Sequence, residues 1–320
     1  MGKYLKVLGL LSAILLLGFS AASAADVVQL TLATGGTAGT YYPLGGAIGQ
    51  IISQRTGVVN ITAQATGASV ENMNLLAAGD VDLALTQNDI ADYAWNGTEF
   101  FKKPIKNFRA IARLYPEHIQ VATYADSPIN SIADFKGHKI SVGAPGSGNE
   151  ANARQILEVY GLTYKDIQPF FLSYAETADH FKDRLIDAFT FTTGAPNSAI
   201  QDICSLIKIK FIEIKDEKRD ELMKKYPFFA REVIKAGTYG DWQTKDVETV
   251  AVQAILVVRE DLPEDVVYNV TKGLFENLDE IRQAHYKAND TTLERAVEAI
   301  TVPFHPGAIK YYKEAGIWKE

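Results

Sequence analysis

Apolar and polar positions along the chain repeat a cycle: a short apolar run, a turn rich in glycine or small polar residues, then apolar residues at helical spacing. Val28 to Thr34 reads as a strand, and Leu44, Ile48, Ile51 and Ile52 follow at intervals that place them on one helix face. Asn60 to Thr66 is a second strand, followed by a helix through Met73, Leu75 and Leu76, and Val81 to Thr86 is a third strand. The cycle restarts at Lys139 to Val142, continues through a helix face of Ala153, Ile156, Leu157 and Tyr160, and closes on a strand from Asp187 to Thr192. Such alternation predicts parallel sheets covered by helices.

The two cycles echo each other. LTLATGGTAGTYYPLGGAIGQII and KISVGAPGSGNEANARQIL share one design of strand, glycine-rich turn and helix, and AAGDVDLALTQND matches KDRLIDAFTFTTG with Asp82 falling on Asp187. The expected fold is therefore α/β, with two Rossmann-like lobes joined by a hinge. Two long segments supply that hinge: 108–125, read as two strand-like runs broken at Tyr115-Pro116-Glu117, and the apolar run 249–258. Asp261, Pro263 and Glu264 then open a helix whose stripe is Val267, Val270, Leu274, Leu278 and Ile281, expected to pack back on the first lobe. This gives residues 25–114 with 251–320 as lobe 1 and residues 115–250 as lobe 2.

The beginning of the chain changes the cellular picture. Lys3 and Lys6 precede an apolar run from Val7 to Phe19 broken only by Ser12, and Ala22-Ser23-Ala24 offers small residues for cleavage before Ala25. Residues 1–24 read as a secretory signal peptide, and the run falls short of the ~20 residues that span a bilayer. An exported, periplasmic protein is expected. The formal charge of −7, without a basic tract, argues against nucleic acid or an anionic membrane surface as partner, and a monomer is expected. The single cysteine, Cys204, lies among Ile203, Leu206 and Ile207 and reads as a packed apolar residue. The five histidines show no ligand spacing, so neither a metal nor a catalytic residue is assigned.

The stretch SVGAPGSGNEANARQIL (141–157) comes close to two nucleotide signatures and completes neither. Asn149 and Glu150 stand where a P-loop needs Lys and Ser/Thr, and Gly146, Gly148 and Ala151 make only a lone G-x-G-x-x-A. No cofactor is expected. Ser147-x-x-Glu150 instead reads as a capping box at a helix start. Gly45, Gly46 and Gly49 mark a second glycine-rich helix start, in the other half. In open α/β sheets ligands sit outside the carboxyl ends of the strands, where helix N-termini favour anions. Neither loop holds Arg or Lys, which suits a carboxylate better than a phosphate.

ATGGTAGTYYPLGG, TAQATGASVENMNLLAAGDVDLALTQND, RAIARLYPEHIQV, the 141–157 stretch, AGTYG with DVETVAVQAILVVREDLPEDVVY, and PFHPGAIKYYKEAG together resemble the TAXI family, the TRAP-associated extracytoplasmic immunogenic proteins. The resemblance spans the mature chain. It implies a periplasmic-binding-protein fold of type II, delivery of solute to a sodium-coupled TRAP permease, and ligands such as glutamate, glutamine or 2-oxoglutarate. Arg184 departs from the family pattern, which has Gly at that turn. Carried over by position, the pattern points to Gly35, Gly36, Thr40, Tyr41 and Tyr42; to Thr66, Gly67 and Ser69; to Gln87 and Asn88; and to Gly146, Ser147, Gly148, Asn149 and Glu150. Thr192 and Thr193 occupy the matching strand end of lobe 2, and Tyr239 is a candidate to close over the ligand from a loop. Glu150 either caps its helix or pairs with a ligand ammonium. The rival reading, a secreted hydrolase, lacks a nucleophile with a partner base.

Overall fold

In the computed structural model, which describes residues 27–318, the first cycle forms β1 (Val28–Ala33), α1 (Tyr41–Thr56), β2 (Val59–Gln64), α2 (Ser69–Ala78), β3 (Leu83–Gln87) and α3 (Asn88–Asn96). The leader expected at 1–24 lies outside the described residues. After β4 (Phe108–Tyr124), the second cycle runs β5 (Lys139–Ser141), α4 (Gly148–Val159), β6 (Gln168–Phe170), α5 (Tyr174–Lys182), β7 (Ala188–Thr193) and α6 (Ser198–Leu206). It continues through β8 (Ile209–Ile212), α7 (Asp216–Lys225) and β9 (Ala230–Ile234). The chain returns along β10 (Val247–Arg259) into α8 (Glu264–Glu276), α9 (Leu278–Ala284) and α10 (Pro306–Glu314).

The strands pair in the order β2-β1-β3-β10-β4-β7-β5-β6, with β8 on β4 and β9 on β10. Pairing is parallel within each cycle, β1 with β2 and β3, and β5 with β6 and β7. The antiparallel strands β10 and β4 join these two parallel groups, so the sheet is mixed and continuous where alternation alone predicted parallel sheets. β4 is one strand, not two runs. Its Pro116 faces Gln253 of β10, while pairing with β7 begins only at His118. Proline lacks an N–H and is tolerated where one side of a strand is unpaired.

The apolar core divides along those two long strands. Ile111, Leu114 and Tyr115 of β4 and Ala254, Leu256 and Val258 of β10 pack with α1 and α8, whereas Ile119 and Val121 of β4 and Val250 and Val252 of β10 pack with α4 and α7. α8 lies close against α1, since a Cβ on Gly273 would stand 2.8 Å from Thr56 Cγ2. The expected single helix after Pro263 is broken at Asn277, whose side chain donates to Gly273 O at 2.8 Å and ends α8. Such a side-chain bond to the backbone competes with helix continuation.

The internal echo is physical. Asp82 Oδ2 accepts the Thr31 N–H and Asp187 Oδ2 accepts the Lys139 N–H, each at 2.8 Å, so matching carboxylates tie matching strand pairs. The turns preceding them also match: Gly79 has φ 80° and Arg184 has φ 58°.

Candidate functional site

Each parallel group turns its carboxyl ends, and the helix starts that follow, toward the other. Between them lies a cavity of about 120 Å³. From the first half come Gly35 and Gly36 after β1, Gly39 to Tyr41 at the start of α1, Thr66 to Ser69 before and at the start of α2, and Gln87 at the end of β3. The second half supplies Ala144 and Ser147 to Asn149 at α4, Leu172 to Tyr174 at α5, and Thr192 and Thr193 ending β7. Tyr115 and Glu117 of β4 complete the lining between the two groups.

Four helices, α1, α2, α4 and α5, place first-turn residues on this lining, and α3 places its N-cap, Gln87, there. The first N–H groups of a helix have no partner within it, so each start presents donors and a partial positive charge. α4 is capped by Ser147 Oγ, which accepts the Glu150 N–H at 3.1 Å. α5 is capped by Ser173 Oγ, and Glu176 reaches back to the Ser173 N–H at 2.8 Å. Neither α1 nor α2 has a side-chain cap. Instead, Val70 and Glu71 of α2 donate across the cleft to Gly146 O, each at 3.2 Å. Thr40 Oγ1 meets Thr193 Oγ1 at 3.0 Å, a second bond between the halves. Ala68, at the bare start of α2, has φ 74° and ψ −148°, a conformation that suits glycine.

No Lys, Arg or His lines the cavity, and Glu117 is its single ionisable carboxyl. Tyr41 OH donates to Glu117 Oε1 at 2.5 Å. Burial is the largest influence on Glu117 and pushes its carboxyl up to about 8; the Tyr41 and Gln87 hydrogen bonds and the charge of Lys287 oppose this, while Asp89 adds to it. Lys287 lies behind the cavity, 5.6 Å from the Tyr115 ring, and is already paired with Asp290. Three buried polar atoms on the lining have no hydrogen-bond partner: Gln87 Oε1, Tyr115 OH and Asn149 Oδ1. Their chemistry asks for hydrogen-bonding groups on whatever fills the space.

Of the residues expected at the site, Gly35, Gly36, Thr40, Tyr41, Thr66, Gly67, Ser69, Gln87, Ser147, Gly148, Asn149, Thr192 and Thr193 are brought together on this lining. Five others are not. Tyr42 sits one helical position past Tyr41 and turns outward, 37% exposed. Asn88 is used behind the cleft, donating to Ala299 O and accepting from the Gln253 N–H. Gly146 contributes its carbonyl to α2. Glu150 makes neither of its anticipated contacts: its carboxylate accepts from Tyr164 OH at 2.7 Å, so the Ser147 capping box is one-sided. Tyr239 is buried in the second half, donating to Gln120 Oε1 and accepting the Asn197 N–H.

The sequence reading left out Gly39, Ala68, Ala144, Leu172, Ser173 and Tyr174, and gave Tyr115 and Glu117 to hinge geometry. Ser173-x-x-Glu176 repeats the S-x-x-E spacing of Ser147-x-x-Glu150 and would have flagged α5. Cys204 is packed, its thiol pushed up to about 11 by burial. Among the described residues no group of three or more His, Cys, Asp or Glu side chains is placed to hold a metal ion, and no helix is long and apolar enough to cross a membrane.

Residues 32–316 match the model of the NMT1-like family. The chain belongs to the NMT1-like family. A protein of Escherichia coli (strain K12) named for binding aliphatic sulfonates is 29% identical over 121 residues, 38% of this chain and 34% of that protein. The match thus spans about a third of that relative's length. In fold the chain is similar to the periplasmic binding protein BugD (TM-score 0.58, 12% identity, covering 92% of this chain and 98% of the other). It is also similar to PhnD1 of Prochlorococcus marinus (MIT 9301) in complex with methylphosphonate (TM-score 0.56, 12% identity, 90% and 96% covered). The fold of this NMT1-like protein is the two-lobed α/β fold of periplasmic binding proteins.

This family match overturns the TAXI resemblance, and the TRAP permease expected on its account goes with it. The blocks that carried the resemblance were glycine-rich helix starts, strand ends and paired strands. Those belong to the architecture, and an architecture shared by several transport systems does not tell them apart.

Proposed function

We propose that this NMT1-like protein is an exported, periplasmic solute-binding protein that encloses a small organic anion and passes it to a membrane transporter. The observation that carries this reading is the convergence of four helix starts on a cavity lined without any cation. One helix end gives an anion ~0.3–2 kcal/mol, burying a carboxylate costs several kcal/mol, and micromolar affinity takes about 8 kcal/mol. One half alone falls short, so donors from both must converge. In this reading residues 25–114 with 251–320 move as one lobe and 115–250 as the other, about β4 and β10. The cavity is small beside the ~300–1,000 Å³ of pockets for drug-sized ligands.

The preferred ligand is a carboxylate such as glutamate, glutamine or a 2-oxo acid. Its anionic end faces the helix starts, and in glutamate or glutamine the ammonium meets Gln87 Oε1 and Glu117, the place once expected of Glu150. A sulfonate is the second reading, favoured by the name of the Escherichia coli relative and by its single charge; a phosphonate dianion lacks a counter-charge here. A hydrolase finds no support, because Ser147 and Ser173 donate their hydroxyls to Ala144 O and Glu176 and no histidine reaches the lining. Native mass spectrometry for a co-purified solute, then calorimetric titration with glutamate, glutamine, 2-oxoglutarate, ethanesulfonate and methylphosphonate, tests the assignment. Gln87→Ala should weaken the binding found by about tenfold, the loss of one charge-assisted bond of ~1.5–3 kcal/mol. Binding of a neutral sugar with no response to any anion overturns it.

A further inference from the structure

Away from the cavity the halves meet again between α3 and α4. Asp89 and Tyr93 stand one turn apart on α3, and Asn152 and Gln155 nearly one turn apart on α4. All four are buried, Asp89 at 1% exposure and Asn152 at 0%, and none lines the cavity. Asn152 Nδ2 donates to Asp89 Oδ2 at 2.9 Å, and Gln155 Nε2 donates to Tyr93 OH at 3.0 Å. Asn152 Nδ2 also reaches Gln155 Oε1 at 3.3 Å, tying the two bonds into one network. Two acceptors in it, Asp89 Oδ1 and Asn152 Oδ1, have no partner.

The charged groups that bear on Asp89 are Asp92 on its own helix and Glu117 on β4, both acidic. Tyr93 faces Glu99 and Tyr226, which bring no positive charge. From α4 Asp89 receives only the Asn152 amide. A buried carboxylate with an empty lone pair and acidic neighbours is costly, and its neutral form far less so.

We propose that Asp89, Tyr93, Asn152 and Gln155 are positioning residues for solute capture: a clasp outside the cavity that holds the lobes together and closes with uptake of a proton on Asp89. The proposal rests on the reading that the lobes part and rejoin. Parting returns Asp89 to water, where a carboxyl has its ordinary value of about 3.9. Closure pushes it up to about 6, with burial the largest cause and hydrogen bonds from Asn152 and from the Ile90 and Asp89 N–H groups at the start of α3 opposing it. The closed form therefore holds the proton more tightly. Closure is favoured most below the open-state value, and the advantage is lost as pH rises through about 6. The closing equilibrium should be about tenfold larger at pH 5 than at pH 8.

Distance measurement between spin labels tests this without knowledge of the solute. Labels at Lys102→Cys and Lys224→Cys, both exposed and one on each lobe, are placed in a Cys204→Ser background. The protein is stripped of solute by unfolding and refolding, and far-ultraviolet circular dichroism checks the fold of each variant. The expected result is a short-distance population whose ratio to the long one falls about tenfold from pH 5 to pH 8. Asp89→Asn should keep that ratio high at both values, and Asn152→Ala with Gln155→Ala should lower it at both. Two populations whose ratio ignores both pH and Asp89→Asn overturn the clasp while leaving solute-driven closure intact. A single distance in every variant, unchanged by 10 mM L-glutamate or ethanesulfonate, shows lobes that do not move and overturns the underlying reading as well.

Discussion

The helices of the first half that reach the cleft begin bare, and those of the second begin capped. Thr40 and Ala68 offer no side-chain bond to α1 and α2, whereas Ser147 and Ser173 each accept an N–H group from the helix they open. The second half satisfies much of its own first-turn backbone. The first half leaves its donors to the cavity and to Gly146 O of the opposite lobe. Helix starts that look alike in sequence thus differ in whether they are complete alone. The incomplete ones are those a ligand or a closing lobe can reward.

The largest effect is expected at the strand both halves share. Glu117 has its carboxyl raised to about 8 in the fold, against ~4.3 in an unfolded chain. A group raised in this way contributes stability that is present below the unfolded value and lost as pH rises through the folded one. Denaturant unfolding of the parent protein should show a loss of several kcal/mol between pH 5 and 9. Glu117→Gln should flatten the part above pH 6.5, and an unchanged profile in that variant would remove Glu117 from the account.

Next in size is Gly148→Ala, which attacks the meeting of the halves directly. A Cβ there would overlap the carboxamide of Gln87 from the opposite lobe. Overpacking of this kind costs ~1–3 kcal/mol, so solute affinity should fall by ten- to a hundredfold, measured by calorimetry. Affinity equal to the parent's would mean that Gln87 and Gly148 do not adjoin in the bound form.

The contrast between bare and capped starts predicts opposite signs at matching positions. Ser173→Ala removes a cap and should destabilise by ~1 kcal/mol. Ala68→Gly relieves a positive φ and should stabilise by about 1 kcal/mol. Thermal unfolding of the two variants side by side checks the signs, and two shifts in the same direction would dissolve the comparison. The smallest effect belongs to Arg184→Gly. The left-handed conformation costs ~1–2 kcal/mol, but Arg184 lies 4.7 Å over the Tyr124 ring, worth ~0.5–1 kcal/mol, and glycine adds unfolded-state freedom of similar size. The net change should stay within about 1 kcal/mol. Gly79→Ala, which has no such compensation, should destabilise by ~1–2 kcal/mol.

What the sequence disclosed was whatever repeats locally. Apolar spacing located β1, α1, β2, α2 and β3, then β5, α4 and β7, but passed over α3, β6, α5 and α6; it also aligned Asp82 with Asp187, two carboxylates that turn out to make the same bond. The order of strands in the sheet left no local trace, and the errors follow from that. Tyr115 and Glu117 reach the cavity because β4 runs between the two parallel groups, a fact of pairing that no window around YPEH contains. Tyr174 arrives because β6 is the outer neighbour of β5. Glu150 was misread because a capping box depends on a rotamer, and Tyr164, fourteen residues on, offers its carboxylate a better partner.

The carbonyl of Gly146 has one more consequence. It holds the N–H groups of Val70 and Glu71, which belong to the other lobe. In the proposed motion those two amides are sheltered while the lobes touch and bare to water when they part. Their exchange with deuterated solvent therefore runs as a stopwatch for opening. Slow exchange there beside fast exchange in the flanking loop would report how long the protein stays shut between visits from its solute.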